Sequence, residues 1–143
     1  MFSKACEYGL RAVIITATFS EKGDKASLGE IAGAINSPLA FTSKILQKLV
    51  QEKIIKSSRG AYGGFHLKKE KMKKLTIARI VKAIDGDDIY MSCGFGLKDC
   101  SDKRPCPLHD KYKKIRDDLR EMLETTTIEE LATQVTLGDG NLR

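Results

Sequence analysis

Near the N-terminus, Phe2, Cys6, Leu10, Val13, Ile14 and Ala17 recur at helical spacing, and the pattern stops before Gly23. This predicts a first helix. A second is predicted from Ser27, whose hydroxyl can cap the first turn while Glu30, three residues on, reaches back. Leu28, Ile31, Ala32 and Ile35 form its apolar face. After Asn36 a third helix is expected, with Ser37 as its cap and Pro38 at its first position. Ile45, Leu46, Leu49 and Val50 make its buried stripe, which leaves Ser43, Lys44, Gln47, Lys48 and Gln51 on the wet side. Two short helices joined by a few residues, the second carrying polar and basic side chains outward, describe a helix-turn-helix.

The pattern then changes period. Ile54–Ser57 and Phe65–Leu67 read as short strands around the glycine-rich turn Arg59-Gly60-Ala61-Tyr62-Gly63-Gly64. A hairpin placed after a recognition helix is the wing of a winged helix, and Arg59 near its tip suits the negative potential of a minor groove. Lysines 68, 69, 71, 73 and 74 are expected to line a solvated turn. Thr76 is a predicted cap for a helix containing Ile77, Ile80, Val81 and Ile84, ending near Gly86. From about Asp85 to Pro107 no period is sustained, and stretches of that kind in a small protein are functional or disordered. A long helix is expected from Pro107 to Glu124. Its apolar residues Tyr112, Ile115, Leu119 and Met122 form a narrow seam amid heavy charge, as in a helix that pairs with its own copy. Thr127 should cap a short helix through Leu131, with a frayed end from Gly138.

The expected fold is therefore mainly α: a winged helix-turn-helix with a small β-hairpin wing and a long C-terminal dimerisation helix. Residues 1–84 form the DNA-binding domain, 85–106 a cysteine-bearing loop, and 107–143 the dimerisation helix and tail. The chain has 143 residues, enough for one modest core. It shows neither a signal-peptide pattern nor a membrane-spanning run, so a cytoplasmic protein with no membrane partner is expected.

Charge sharpens the picture. The net charge is +6, yet Phe41 to Lys82 alone carries twelve Lys and Arg against two acids, while the remainder is net −4. A charge meant only for solubility would not segregate in this way, whereas a nucleic-acid contact surface would. No nucleophile–base pairing or phosphate-cradling loop is present, so no enzyme is expected.

Three of the four cysteines, Cys93, Cys100 and Cys106, fall within fourteen residues, with gaps of six and five, and His109 follows after two more. In a reducing compartment such clustering reads as a metal or redox site rather than disulfides. Three thiolates and an imidazole close a tetrahedral zinc site, and the same donors hold iron–sulfur clusters. Cys6, on an apolar stripe, reads as a small buried hydrophobe, and His66 as a strand residue without special role.

Taken together, several segments give the chain a resemblance to the IscR/NsrR family of winged-helix transcriptional regulators over nearly its whole length. They are Glu7–Ala12, Ser37–Leu49, the wing Arg59–Gly64, Ile84-Asp85-Gly86, the three cysteines and Thr126–Leu131. The resemblance implies a homodimer, a double-stranded DNA operator, repression more often than activation, and an iron–sulfur cluster that senses redox, nitric oxide or cluster supply. One departure stands out: such relatives have five residues in both inter-cysteine gaps, and the first gap here has six. For the fourth ligand the IscR-like branch points to His109 and a 2Fe–2S centre, which is favoured. The NsrR-like branch points to Glu7, from the partner subunit, and a 4Fe–4S centre; an ion pair with Arg11 is the plainer role for Glu7. The resemblance also turns Phe41, Ser43 and Lys44 toward the DNA groove, although Phe41 sits equally well in the core. Lys48 suits a phosphate. Some relatives lack a cluster and respond by binding a partner protein, so a cluster-free or zinc-stapled interaction module is the alternative.

Overall fold

The computed structural model describes residues 1–143 as eight helices and one two-stranded antiparallel sheet. Helix α1 (Lys4–Glu21) is capped by Ser3, whose hydroxyl accepts from the Cys6 amide at 3.1 Å. Every residue from Ala12 to Ala17 is buried, which exceeds a single helix face. This helix is accordingly the hub of the fold, packed against elements from both ends of the chain. The buried Thr16 hydroxyl donates to the Ala12 carbonyl at 2.8 Å, so the only polar side chain in that stretch is satisfied.

Helix α2 (Leu28–Ala34) carries both halves of the expected capping box, with Glu30 N to Ser27 Oγ at 3.1 Å and Ser27 N to Glu30 Oε2 at 2.8 Å. Asn36 then takes a positive φ of 51°, tolerated by a short polar side chain, and turns the chain into α3 (Leu39–Gln51). Pro38 is the cap residue of α3, one position later than expected. Ser37 does not cap; its hydroxyl accepts from Thr42 Oγ1 at 2.8 Å.

The wing comprises β1 (Lys56–Ser58) and β2 (Gly64–His66), registered Lys56 to His66 and Ser58 to Gly64. Ala26 adds a bridge on the far side of β2, exchanging backbone bonds of 2.9 and 2.8 Å with Phe65. A Cβ on Gly64 would lie 2.8 Å from the Ala26 carbonyl oxygen, so this bridge requires glycine there. Ile54 and Ile55, expected in the first strand, are instead buried in the turn leaving α3, and Leu67 anchors the chain just after β2.

The lysine run forms a helix rather than a solvated turn: α4 (Lys69–Lys74) inserts Met72 into the core, Lys69, Lys73 and Lys74 are exposed, and the half-buried Lys71 donates to the Lys53 carbonyl. Helix α5 (Ile77–Asp85) starts after Thr76, which makes no side-chain cap bond and pairs instead with Thr127. A single turn, α6 (Asp88–Met91), precedes the cysteine loop, and α7 (His109–Thr125) follows it. Helix α8 (Ile128–Thr136), capped by Thr127, runs beyond Leu131 and returns to α1 and α4, placing Ile128 and Ala132 in the main core. The end of the chain is not frayed. Arg11 donates to the Leu142 carbonyl at 3.4 Å and Arg143 to that of Gly33 at 3.1 Å.

A second, small cluster of Cys6, Val81 and Leu123 joins α1, α5 and α7. Leu123 lies outside the seam expected from the sequence, yet it is the buried anchor of α7. Leu119 packs beside it, whereas Ile115 and Met122 remain 62% and 49% exposed. No helix is long and apolar enough to cross a membrane.

Candidate functional site

The cysteine loop folds its thiols onto the N-terminal end of α7. The Sγ atoms of Cys93, Cys100 and Cys106 all lie within 4.8 Å of one another, with Cys93 to Cys106 at 3.6 Å. Small turns achieve this. The Gly96 amide donates to the Cys93 carbonyl at 2.9 Å, with Gly96 at a positive φ of 71°. Ser101 and Arg104 close a second turn by mutual backbone bonds of 3.3 and 3.0 Å. Tyr112 of α7 packs against Gly94.

His109, the first residue of α7, is only 8% exposed. Its Nδ1 is 3.2 Å from Cys100 Sγ, and its Nε2 is 3.0 Å from Asp102 Oδ1. Lys113 donates to that same Oδ1 at 2.8 Å. Lys113 and then His109 hold the Asp102 carboxyl down at about 2. Tyr90, Arg116 and Lys113 line the remainder of this cleft, and Arg116 donates to the Ser92 carbonyl at 2.8 Å.

Backbone amides of Leu97 and Phe95 stabilise the Cys93 thiolate and lower its pKa to about 7. The Cys106 amide pulls Cys100 in the same direction, but burial and the adjoining thiols outweigh it and leave that thiol raised. Three thiolates gathered within 4.8 Å would repel one another, and a thiophilic cation relieves that repulsion. The set of three sulfurs and one imidazole fits an iron–sulfur cluster or zinc.

Glu7 is not gathered with the thiols of its own chain. It pairs with Lys4 at 2.8 Å, which lowers its pKa, and Arg11 donates to its backbone carbonyl rather than to its carboxylate. Cys6 lies apart. Burial and then the nearby Asp85 carboxylate push its thiol up to about 12, so it is inert at neutral pH.

The second surface comprises α3 and the wing. Ser43 is half-buried, and Lys44 and Lys48 are exposed. Gln47 donates to Ser43 Oγ at 3.4 Å, and Lys48 Nζ rests 3.4 Å from the Ile84 carbonyl, at the junction with α5. Phe41 is half-buried and meets the Tyr8 ring edge-to-face at 5.4 Å, as its apolar spacing allowed. Arg59 is exposed on the wing, and Tyr62 beside it is 94% exposed, a second tip residue that sequence reasoning did not single out. Asp102, Lys113 and Arg116 were missed for another reason: nothing in their spacing marks them among so many charges.

A family profile described as "Rrf2: Iron-dependent Transcriptional regulator" matches residues 2–134. An HTH-type transcriptional regulator of Aquifex aeolicus is 29% identical over 133 residues, covering 92% of this chain and 90% of the relative. Among solved structures, CymR, the global cysteine regulator of B. subtilis, superposes with a TM-score of 0.76 at 27% identity, covering 93% of this chain and 96% of that one. T. potens IscR shares the fold with a TM-score of 0.72 at 20% identity, covering 98% and 91% respectively.

Proposed function

The chain belongs to the Rrf2 family of iron-dependent transcriptional regulators, and we propose that it is a cytoplasmic, homodimeric repressor whose operator binding responds to an iron–sulfur cluster on Cys93, Cys100 and Cys106. It is a regulator and not an enzyme. The observation that carries the reading is the convergence of three half-buried thiols within 4.8 Å, beside a buried imidazole. His109 is the preferred fourth donor, because it starts the helix on which the loop rests and its placement costs little further ordering. That choice favours a 2Fe–2S centre; Glu7 of a partner subunit and a 4Fe–4S centre are the competing assignment.

When bound, the cluster supplies a redox-active and gas-reactive iron centre. The protein's own contacts provide the connection to DNA. Arg116 and Lys113 tie the loop to α7, Leu123 packs α7 on Val81 of α5, and α5 reaches α3 through Lys48–Ile84 and through Arg79, which donates to the Glu52 carbonyl at 2.9 Å. The exposed Ile115 and Met122 are read as the contact with a second copy, so a shift of α7 alters the spacing of the two recognition helices. Ser43 and Lys44, with Phe41 at the edge, face the major groove, Lys48 a phosphate, and Arg59 the minor groove.

Anaerobic purification with a visible spectrum and iron and sulfide analysis tests the sensor. Fluorescence anisotropy on duplex DNA tests the reader. Wild type should bind a roughly palindromic site with strong salt dependence, and Arg59→Ala should weaken binding about tenfold while leaving the thermal midpoint unchanged. A chain that prefers no duplex over random DNA, loaded or unloaded, would refute the reading. The S3N donor set also favours one second reading, a zinc-stapled regulator that docks a partner protein. Such a protein would be colourless and carry zinc in place of iron and sulfide.

A further inference from the structure

Beside the thiols, one carboxylate receives two donors from the first turns of α7. Asp102 Oδ1 accepts from His109 Nε2 at 3.0 Å and from Lys113 Nζ at 2.8 Å. Asp102 is carried to this point by the closed turn between Ser101 and Arg104, two residues after Cys100. Lys113 stands one helical turn after His109, so both donors project from the same face of α7. The opposite nitrogen of the ring, Nδ1, faces Cys100 Sγ at 3.2 Å.

We infer that Asp102 is a positioning residue: it fixes the tautomer and ring orientation of His109 so that Nδ1, not Nε2, is the nitrogen offered to the thiol set. The inference rests on reading His109 as the fourth donor. An ionised carboxylate only accepts hydrogen bonds, so the ring nitrogen facing Asp102 must carry the proton. A neutral imidazole with its proton on Nε2 has its lone pair on Nδ1, the atom already turned toward sulfur. Carboxylate–histidine pairs of this kind orient metal-bound imidazoles and raise their basicity. Lys113 shares the same carboxylate oxygen and favours this placement of Asp102, whose side chain is 73% exposed. His109 itself is buried apart from this edge, and Asp102 is the only carboxylate the structure gives it. Ligand spacing in the sequence does not disclose this: the two residues are seven apart across a turn, and acidic residues are common here.

Nuclear magnetic resonance on the full-length, reduced, cluster-free chain reads the tautomer directly. The chain has two histidines, so a His66→Gln reference assigns the imidazole nitrogen-15 signals unambiguously. In wild type, long-range nitrogen–proton correlations should show His109 predominantly protonated at Nε2. Asp102→Ala should give a mixture of tautomers, and Asp102→Glu should restore the wild-type form at least partly. An unchanged tautomer in a folded Asp102→Ala chain would overturn the assignment. Anaerobic reconstitution then measures iron retention against a chelator, where Asp102→Ala should bind on the order of tenfold more weakly. His109→Ala separates the two claims. If it leaves the cluster spectrum and iron content unchanged, the fourth-donor reading fails, whatever the tautomer result. If it alters them while Asp102→Ala changes neither tautomer nor retention, the positioning role alone fails.

Discussion

Val13, Ile31, Leu46, Leu49 and Ile80 are buried almost completely in the winged-helix body, whereas from Ser92 to Leu108 no residue is buried. The body is held by apolar area spread over many contacts, and its capping box and wing bridge only trim it. The loop is held by a few directed bonds: Arg116 to Ser92, Lys113 and His109 to Asp102, and the thiols themselves. Apolar packing is non-specific and persists without ligand, while a loop ordered by a few polar contacts can be tightened or released by whatever binds them. The two regions of this transcriptional regulator thus have different kinds of stability. The cysteines repeat the contrast, since burial holds the Cys6 thiol at about 12 while backbone amides bring Cys93 to about 7.

The largest effect expected from breaking this contrast is at the loop. Cys106→Ala should abolish the visible-absorbing centre altogether, yet shift the unfolding free energy of the cluster-free chain by less than about 1 kcal/mol. Iron analysis beside urea denaturation checks both halves. A cluster-free wild type that is largely unfolded would show that the body depends on the loop after all.

The converse substitution lies in the body. Leu46 is completely buried in the core face of α3, so Leu46→Ala should cost about 2–5 kcal/mol. Reconstitution at low temperature should still yield the wild-type spectrum while the chain is folded, because no loop contact runs through Leu46. A simultaneous loss of cluster would mean that the two regions are less separate than their packing indicates.

A pH series sharpens the contrast between thiols. In the cluster-free chain the reactive Cys93 thiolate increases as pH rises through its pKa, so iodoacetamide labelling at Cys93 should reach half its maximal rate near pH 7, given a pKa of about 7. Cys6 should resist labelling at every pH at which the chain is folded. Peptide mass spectrometry after timed quenching separates the sites, and early labelling of Cys6 would count against its burial.

The smallest effect concerns a local device. Ser27→Ala removes the hydroxyl half of the α2 capping box and should cost about 1 kcal/mol, measured by denaturant midpoint, with DNA affinity nearly preserved.

The chain alone determined what depends on neighbours in sequence. The apolar periods marked α1, α2, α3 and α5, Ser27 and Glu30 announced their box, the glycines announced the wing, and the spacing of Cys93, Cys100 and Cys106 announced three thiols close together. These are properties of a short window, since a helical face or a turn is set by a few adjacent torsions. What only the tertiary structure decided involves residues brought together from afar. Met72 belongs to the main core, so the lysine run around it is the helix α4, and α8 and Leu142 returned to α1, whose buried surface extends around several faces. Leu123, outside the seam expected to meet a second copy, anchors α7 to the body, since Cys6 and Val81 are what it meets. Asp102 acquired a role only once a turn and a helix end had set it against His109 and Lys113. Charged residues are numerous and interchangeable along the chain, and only packing decides which of them stands beside a ligand.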